Sequence, residues 1–375
     1  MARKIGRIGI LTGGGDCPGI NAVIRAITKT AIYKYGLRVF GIEDGFLGLL
    51  ESRIVELTSL HVSGILTRGG TILGTDNRTD PRRYYDGLDD NGEPIFRDVT
   101  DRCLAAIEKF KLDAILVIGG DGTMACAAPL VSAGIAIVGI PKTIDNDVEG
   151  TDITFGFLTA VETATDALDR LHSTADSHHR VMVCEVMGRN AGWIALHSGL
   201  ASGADVILIP EIPFDLDAVC EFVESRTHRR RGFSIVSCAE GAHPIGGEQV
   251  VADVDPTRPE AIRLGGIGIE VARAIAAKTG IEARTTVLGY VQRSGTPNAA
   301  DRVLATEFGY HATELLMSGA AGRMVVMRGG QLGDTDLRTV AGKQRLVSLD
   351  DPLIGAARAV RTCFGDRQEA VGNSQ

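Results

Sequence analysis

Apolar runs that stop abruptly at glycine- or carboxylate-rich loops constrain this 375-residue chain more than any other feature. Residues 114–118 run into Gly119-Gly-Asp-Gly-Thr123, and residues 135–140 run into Pro141-Lys-Thr-Ile-Asp-Asn-Asp147. An earlier run, 8–12, empties into Gly13-Gly-Gly-Asp-Cys-Pro-Gly19. Short continuous apolar stretches of this kind read as strands buried on both faces of a parallel sheet. Open parallel sheets bind their ligands beyond the carboxyl ends of the strands. The pattern therefore delivers glycine turns and a carboxylate cluster to one edge of one sheet.

The rest of the chain keeps the alternation. Ile20, Ile24, Ile27 and Ala31 recur at helical spacing after the first turn, and residues 37–42 supply another strand. Residues 69–92, rich in Gly, Asp, Asn and Arg, read as a surface excursion. A helix over about 156–171 leads into a second unit, with strands at 181–184, 206–209 and 234–237. Helices are expected at 191–200, 216–226, 262–278 and 300–317, and a strand at 324–328. Alternating strands and helices imply α/β architecture, and the length allows two domains at ~150 residues each. With 44% hydrophobic but only 5% aromatic residues, the core is built from aliphatic side chains.

Several function classes are disfavoured. The net charge is −8 and the densest basic cluster is Arg229 to Arg231 beside His228, which argues against nucleic-acid binding. The 7 cysteines include no Cys-x-x-Cys pair, so neither a disulfide framework nor a zinc site is expected. No apolar run reaches the ~20 residues of a membrane span, nor does the N-terminus carry a signal-like stretch. A cytoplasmic protein without membrane or nucleic-acid partners is expected.

The loops carry phosphate chemistry. Free N–H groups at a helix start attract phosphate, so Gly13 to Gly19 is either a phosphate cradle or a tight turn. In Gly119-Gly-Asp-Gly-Thr123 the glycines admit a polyphosphate, Asp121 suits Mg²⁺, and Thr123 caps the next helix. Asp145 and Asp147, two apart, offer a general base, and each raises the proton affinity of the other. Arg180, Arg189, Arg284 and Arg293 adjoin glycine-rich turns and suit an anionic substrate. His178 and His179 lack partners at metal-ligand spacing and read as structural.

Taken with Glu185-Val-Met-Gly-Arg189, Arg284-Thr-Thr-Val-Leu-Gly289 and Gln292-Arg293, these motifs closely resemble the 6-phosphofructokinase family over nearly the whole chain. The resemblance implies two similar Rossmann-like, three-layer α/β domains facing across a cleft, assembled as homodimers or homotetramers. The larger, donor-binding domain would comprise 1–150 plus about 262–320. The smaller, sugar-phosphate domain would comprise about 151–261 plus about 321–375. Asp145 would be the base acting on the 1-hydroxyl of fructose 6-phosphate, supported by Thr143 and Asp147, with Arg189 and Gly15 also in the catalytic set. Gly15, Phe46, Arg78, Asp121, Gly122, Thr123 and Lys142 would bind the donor, and Asp121 would serve Mg²⁺. Met187, Gly188, Arg189 and Glu240 would contact the sugar together with Thr143 and Asp145. Arg180, Arg284 and Arg293 would clamp its 6-phosphate, Arg180 and Arg284 reaching in from a neighbouring subunit. Tyr290 stands where many relatives carry histidine.

Family members use ATP or pyrophosphate. Gly122 leaves room for the α-phosphate of ATP, where pyrophosphate users generally place aspartate. Lys142 is usual in pyrophosphate users but also occurs with glycine in a subgroup of ATP users. Absence of a steric block favours ATP. Ala125 and Cys126, in place of glycine near the adenine, are expected to crowd that pocket. The alternative is a pyrophosphate-dependent phosphotransferase; a non-catalytic regulatory subunit is opposed by the retained Asp121, Asp145 and Arg189. A NAD or lipid kinase would not explain Pro141 to Asp147 together with Met187-Gly-Arg189. Arg25, Lys29, Arg229 and Arg231 match an allosteric anion site, but Asp205, His172 and Ser59 depart from its pattern, so control by ADP or phosphoenolpyruvate is not expected.

Overall fold

The computed structural model describes residues 5–227 and 232–367, which leaves Arg229 and Arg231 outside the described residues. The chain divides into two compact units. The first takes in the described residues up to Thr159, with Asp255–Ala261 and Arg293–Arg345. The second comprises Ala160–Val254, Ile262–Gln292 and the residues from Leu346 onward.

The first unit is built on an 8-stranded sheet. Its inner strands run parallel in the order Arg323–Arg328, Ala136–Thr143, Ala114–Gly119, Arg7–Thr12, Arg38–Ile42. Antiparallel strands Gln331–Asp336 and Ile54–Leu57 close the two edges. Every residue of Ala114–Gly119 is buried, which is why the sequence shows an unbroken apolar run rather than alternation. On one face Leu11, Ile115, Val117 and Ile137 pack with residues of the helices Gly45–Glu51, Thr100–Lys109 and Asp121–Ser132. Ile10, Leu116 and Ile118, also buried, alternate to the other face. The helices Ile20–Tyr35 and Ala299–Met317 pack against each other, and the latter also against Ala136–Thr143.

The second unit has a 4-stranded sheet in the order Val206–Leu208, Ser234–Ala239, Val181–Val186, Ala283–Val287, all parallel. Trp193–Ala201, Leu216–Thr227 and Ile267–Thr279 are among its helices. The α/β class expected from the alternation is the one observed.

Four details differ from the sequence expectation. Residues 262–292 fall in the second unit because Ala283–Val287 pairs with Val181–Val186. The hairpin 323–336 falls in the first because Arg323 and Met324 pair with Val138 and Gly139. The helix expected from 262 starts at Ile267: Ile262–Leu264 forms a ribbon with Val251–Val254, and Gly265 and Gly266, at φ 145° and 102°, break the chain before the helix. Finally, the excursion 69–92 is partly interior. Leu73 and Asp80 are buried, and the buried Asn21 amide donates to the Arg68 and Gly69 carbonyls while accepting from Ile72 N–H.

Candidate active site

Both glycine turns of the first unit leave neighbouring parallel strands and pack together. Gly13 N–H donates to the Ile118 carbonyl at 2.9 Å. A Cβ at Gly13 or Gly119 would stand 2.7 or 2.3 Å from the buried Thr123 side chain, so only glycine lets the two turns meet around it. Arg78 belongs to a segment pinned to the same place: Gly14 N–H donates to the Asp76 carbonyl, and Thr75 Oγ1 donates to the Gly14 carbonyl. Arg78 itself is exposed.

Lys142 is 3% exposed and its ammonium donates to the Gly15 carbonyl. Burial pushes its pKa down, because the charged form loses water. Arg293 lies on the same turn: its Nη1 is 3.3 Å from the Asp16 carbonyl, and a Cβ on Gly15 would come within 2.8 Å of it. Gly122, by contrast, is exposed and a Cβ there would meet nothing within 4 Å. Cys126 turns into the core near Asp80, and burial holds its thiol protonated. Phe46 is likewise a core residue, 4% exposed among Leu11, Leu49 and Val117, and is not presented to a donor.

The carboxylates share one neighbourhood. Asp145 N–H donates to Thr143 Oγ1 at 3.0 Å. Asn146, between the two aspartates, is left-handed at φ 53°, a region that asparagine tolerates better than most residues. Its side chain fixes that turn by accepting from Thr154 N–H at 2.9 Å and donating to the Asp152 carbonyl at 3.3 Å. Asp147 is buried, and its pKa rises to about 8, first through burial and then through the charges of Asp145 and Asp121. Among the described residues no group of three or more His, Cys, Asp or Glu could hold a metal alone.

In the second unit the strand Val181–Val186 ends at Met187-Gly188-Arg189. Arg189 is left-handed at φ 51° and Gly188 lies at φ 139°. Arg189 N–H donates to Glu240 Oε1 at 3.1 Å, and Met187 N–H to Gln292 Oε1 at 3.3 Å. Glu240 follows Ser234–Ala239, and Tyr290 lies in the helical turn Gly289–Arg293 after Ala283–Val287. Arg189, Glu240 and Tyr290 therefore share the carboxyl edge of the sheet. Arg180 and Arg284 do not. Arg180 immediately precedes Val181, and Arg284 pairs with Met182, which puts both at the amino edge. At ~3.3 Å per residue the strand Val181–Val186 separates the two edges by roughly 20 Å. Both arginines are bonded to Glu282, at 2.8 and 2.6 Å.

Sequence reasoning missed Gln344 and Arg345. Gln344 Nε2 lies 3.2 Å from Asp147 Oδ2, and Arg345 N–H donates to the Asp147 carbonyl at 2.7 Å. Neither belongs to a motif, and no local pattern links them to a loop nearly two hundred positions away.

The phosphofructokinase family model matches residues 7–316. The chain is 47% identical to "ATP-dependent 6-phosphofructokinase 2" of Clostridium perfringens, over 98% of this chain and 100% of that one. It is 51% identical to "Pyrophosphate--fructose 6-phosphate 1-phosphotransferase" of Streptomyces coelicolor, over 86% of this chain and 91% of the other. Among solved structures, Pichia pastoris phosphofructokinase in the T-state superposes with a TM-score of 0.77 at 29% identity, over 96% of this chain and 37% of that longer one.

Proposed function

Because this chain belongs to the phosphofructokinase family, we propose that it transfers the terminal phosphoryl group of MgATP to the 1-hydroxyl of D-fructose 6-phosphate, giving fructose 1,6-bisphosphate. The observation that carries the reading is the carboxylate loop: Asp145, with Thr143 beneath it and Asp147 and Asp121 near it, stands beyond the strand that also carries Lys142.

Asp145 accepts the hydroxyl proton as the sugar oxygen bonds to the γ-phosphorus and the bond to the ADP oxygen breaks. Thr143 orients the loop through its bond to Asp145 N–H. Gly15 and Lys142 line the donor turn, and Arg189 balances charge on the transferring group. Phosphoryl transfer depends on such positioning and charge neutralisation more than on covalent chemistry. Asp121 would hold Mg²⁺, which supplies neutralisation of the donor's phosphate oxygens when bound. Glu240, Met187 and Gly188 contact the sugar, and Tyr290 stands on the same edge. The 6-phosphate is held by Arg293 and by Arg180 and Arg284 of a second copy, since within one chain those two stand at the far edge of their sheet from Arg189.

The open space at Gly122 supports ATP over pyrophosphate. Lys142 and the Streptomyces relative favour the second reading, pyrophosphate as donor. Assaying fructose 6-phosphate with ATP and with pyrophosphate under matched Mg²⁺ separates them. Turnover with ATP and little with pyrophosphate is expected; turnover only with pyrophosphate overturns the donor assignment, and none with either overturns the activity.

A further inference from the structure

The stretch after the short helix Leu337–Val340 lies beyond the residues matched to the family, yet it is bonded to both carboxylate-bearing elements. Gly342 N–H donates to the carbonyl of Asp121, at the start of helix Asp121–Ser132. Arg345 N–H donates to the Asp147 carbonyl, and Arg345 Nη1 to the Asn146 carbonyl at 3.2 Å. Gln344 Nε2 reaches Asp147 Oδ2 at 3.2 Å, and Gln344 forms a backbone bridge with Val148. Three residues, Gly342, Gln344 and Arg345, thus fasten the helix that begins with Asp121 and the loop of Asp145 and Asp147 to one another.

That fastening holds a costly arrangement. Asp121, Asp145 and Asp147 crowd three carboxyl groups into one neighbourhood, and Asp147 is buried. Among the groups that face Asp147 are those two carboxyl groups, the Thr143 hydroxyl and the Gln344 amide. The loop also contains a left-handed, non-glycine residue, Asn146, a conformation that persists only when its surroundings over-determine it. An amide donor on Asp147 and a guanidinium on the Asn146 carbonyl supply that determination from outside the loop.

We propose that Gln344 and Arg345 are positioning residues for phosphoryl transfer, holding the Ile144 to Asp147 loop in its left-handed turn so that Asp145 keeps its aim at the acceptor hydroxyl. The proposal rests on the phosphofructokinase reading for its chemistry, but the fastening is testable without it. Gln344→Leu keeps volume and removes the donor. Gln344→Glu is nearly isosteric and replaces the amide donor by another carboxyl group. Arg345→Ala removes the guanidinium, and Arg345→Lys restores a cation.

A misplacement of about 1 Å remote from the chemistry costs on the order of 10²-fold in rate. Gln344→Leu and Arg345→Ala are therefore expected to lower kcat by about 10- to 100-fold. KM for both substrates and the thermal midpoint should stay near wild type. Gln344→Glu should lose more than Gln344→Leu, and Arg345→Lys should recover part of the loss. In the ligand-free protein, amide hydrogen exchange of a 141–148 peptide should quicken in Gln344→Leu while the strand 114–119 stays protected. Unchanged kcat in both Gln344→Leu and Arg345→Ala, or a rate loss matched by a fallen thermal midpoint and faster exchange throughout, overturns the proposal. If the wild-type protein phosphorylates nothing, the functional reading fails, while the exchange comparison still decides whether the loop is held by this stretch.

Discussion

Asp145 and Asp147 sit two positions apart in unlike surroundings. Asp145 is half-buried at the head of the loop, where a base must reach its substrate. Replacing it, as Asp145→Ser, should leave the thermal midpoint near wild type and cut kcat by about 10²–10⁴; near-normal turnover would remove it from the mechanism. Asp147 is a liability to the fold. Its carboxyl keeps a proton to about pH 8 in the folded chain, against an ordinary value of 3.8. The unfolded chain releases that proton near pH 4, so stability falls as pH rises from there toward 8 and levels off above it. Asp147→Asn should flatten that fall and raise the midpoint at pH 8 by a few degrees, at about 2–4 °C per kcal/mol for units of this size, while lowering activity. Thermal scans from pH 5 to 8.5 read this directly. Gly122 is the third informative position. Because nothing stands within 4 Å of a Cβ there, Gly122→Asp should fold normally, depress ATP use strongly through bulk and like charge, and harm pyrophosphate use less. Equal losses with both donors would show that the open space is not what selects between them.

Strands and their exit loops were the legible part of this chain, and the reason is packing. A strand buried on both faces must be apolar throughout, so 114–118 and 135–140 announce themselves. The strand Ala283–Val287 did not. It lies at an edge, Arg284 and Val287 are exposed, and its residues read as an arginine motif rather than as a strand. Phe46 and Cys126 were misplaced for a related reason: a motif match aligns positions but does not say which way a side chain turns, and both turn into the core. Some close approaches escape pattern reading altogether. A Cβ on Gly241 would stand 1.8 Å from the Arg189 carbonyl, so Gly241→Ala must push the Met187 to Arg189 turn away from Glu240. The expected result is a loss of about 2–3 kcal/mol in stability, at the upper end of the common range for point substitutions, together with reduced turnover. A stable, fully active Gly241→Ala protein would mean that the turn has slack it does not display.

Across the whole chain, the four arginines of the proposed site stand at three separate places. Arg189 occupies the carboxyl edge of the second unit's sheet, Arg180 and Arg284 the amino edge, and Arg293 the glycine turn of the first unit. If the 6-phosphate is gripped by Arg180 and Arg284 of a second copy, mixing inactive Arg284→Ala chains with inactive Asp145→Ser chains should restore part of the activity. Verified mixed assemblies that stay inactive would show that each chain serves itself. The motifs named these arginines but could not say on which edge each stands; that follows only from the strand register. Glu282, bonded to both amino-edge arginines in the isolated chain, gives the arrangement a kinetic signature. A site completed by a second chain exists only in proportion to the paired population, and pairing follows mass action. Rate per milligram would then be no constant of this protein. It should sag as the sample is diluted below the dissociation point of the pair, and fructose 6-phosphate, by giving the arginines a phosphate shared between chains, should push that point to lower concentrations.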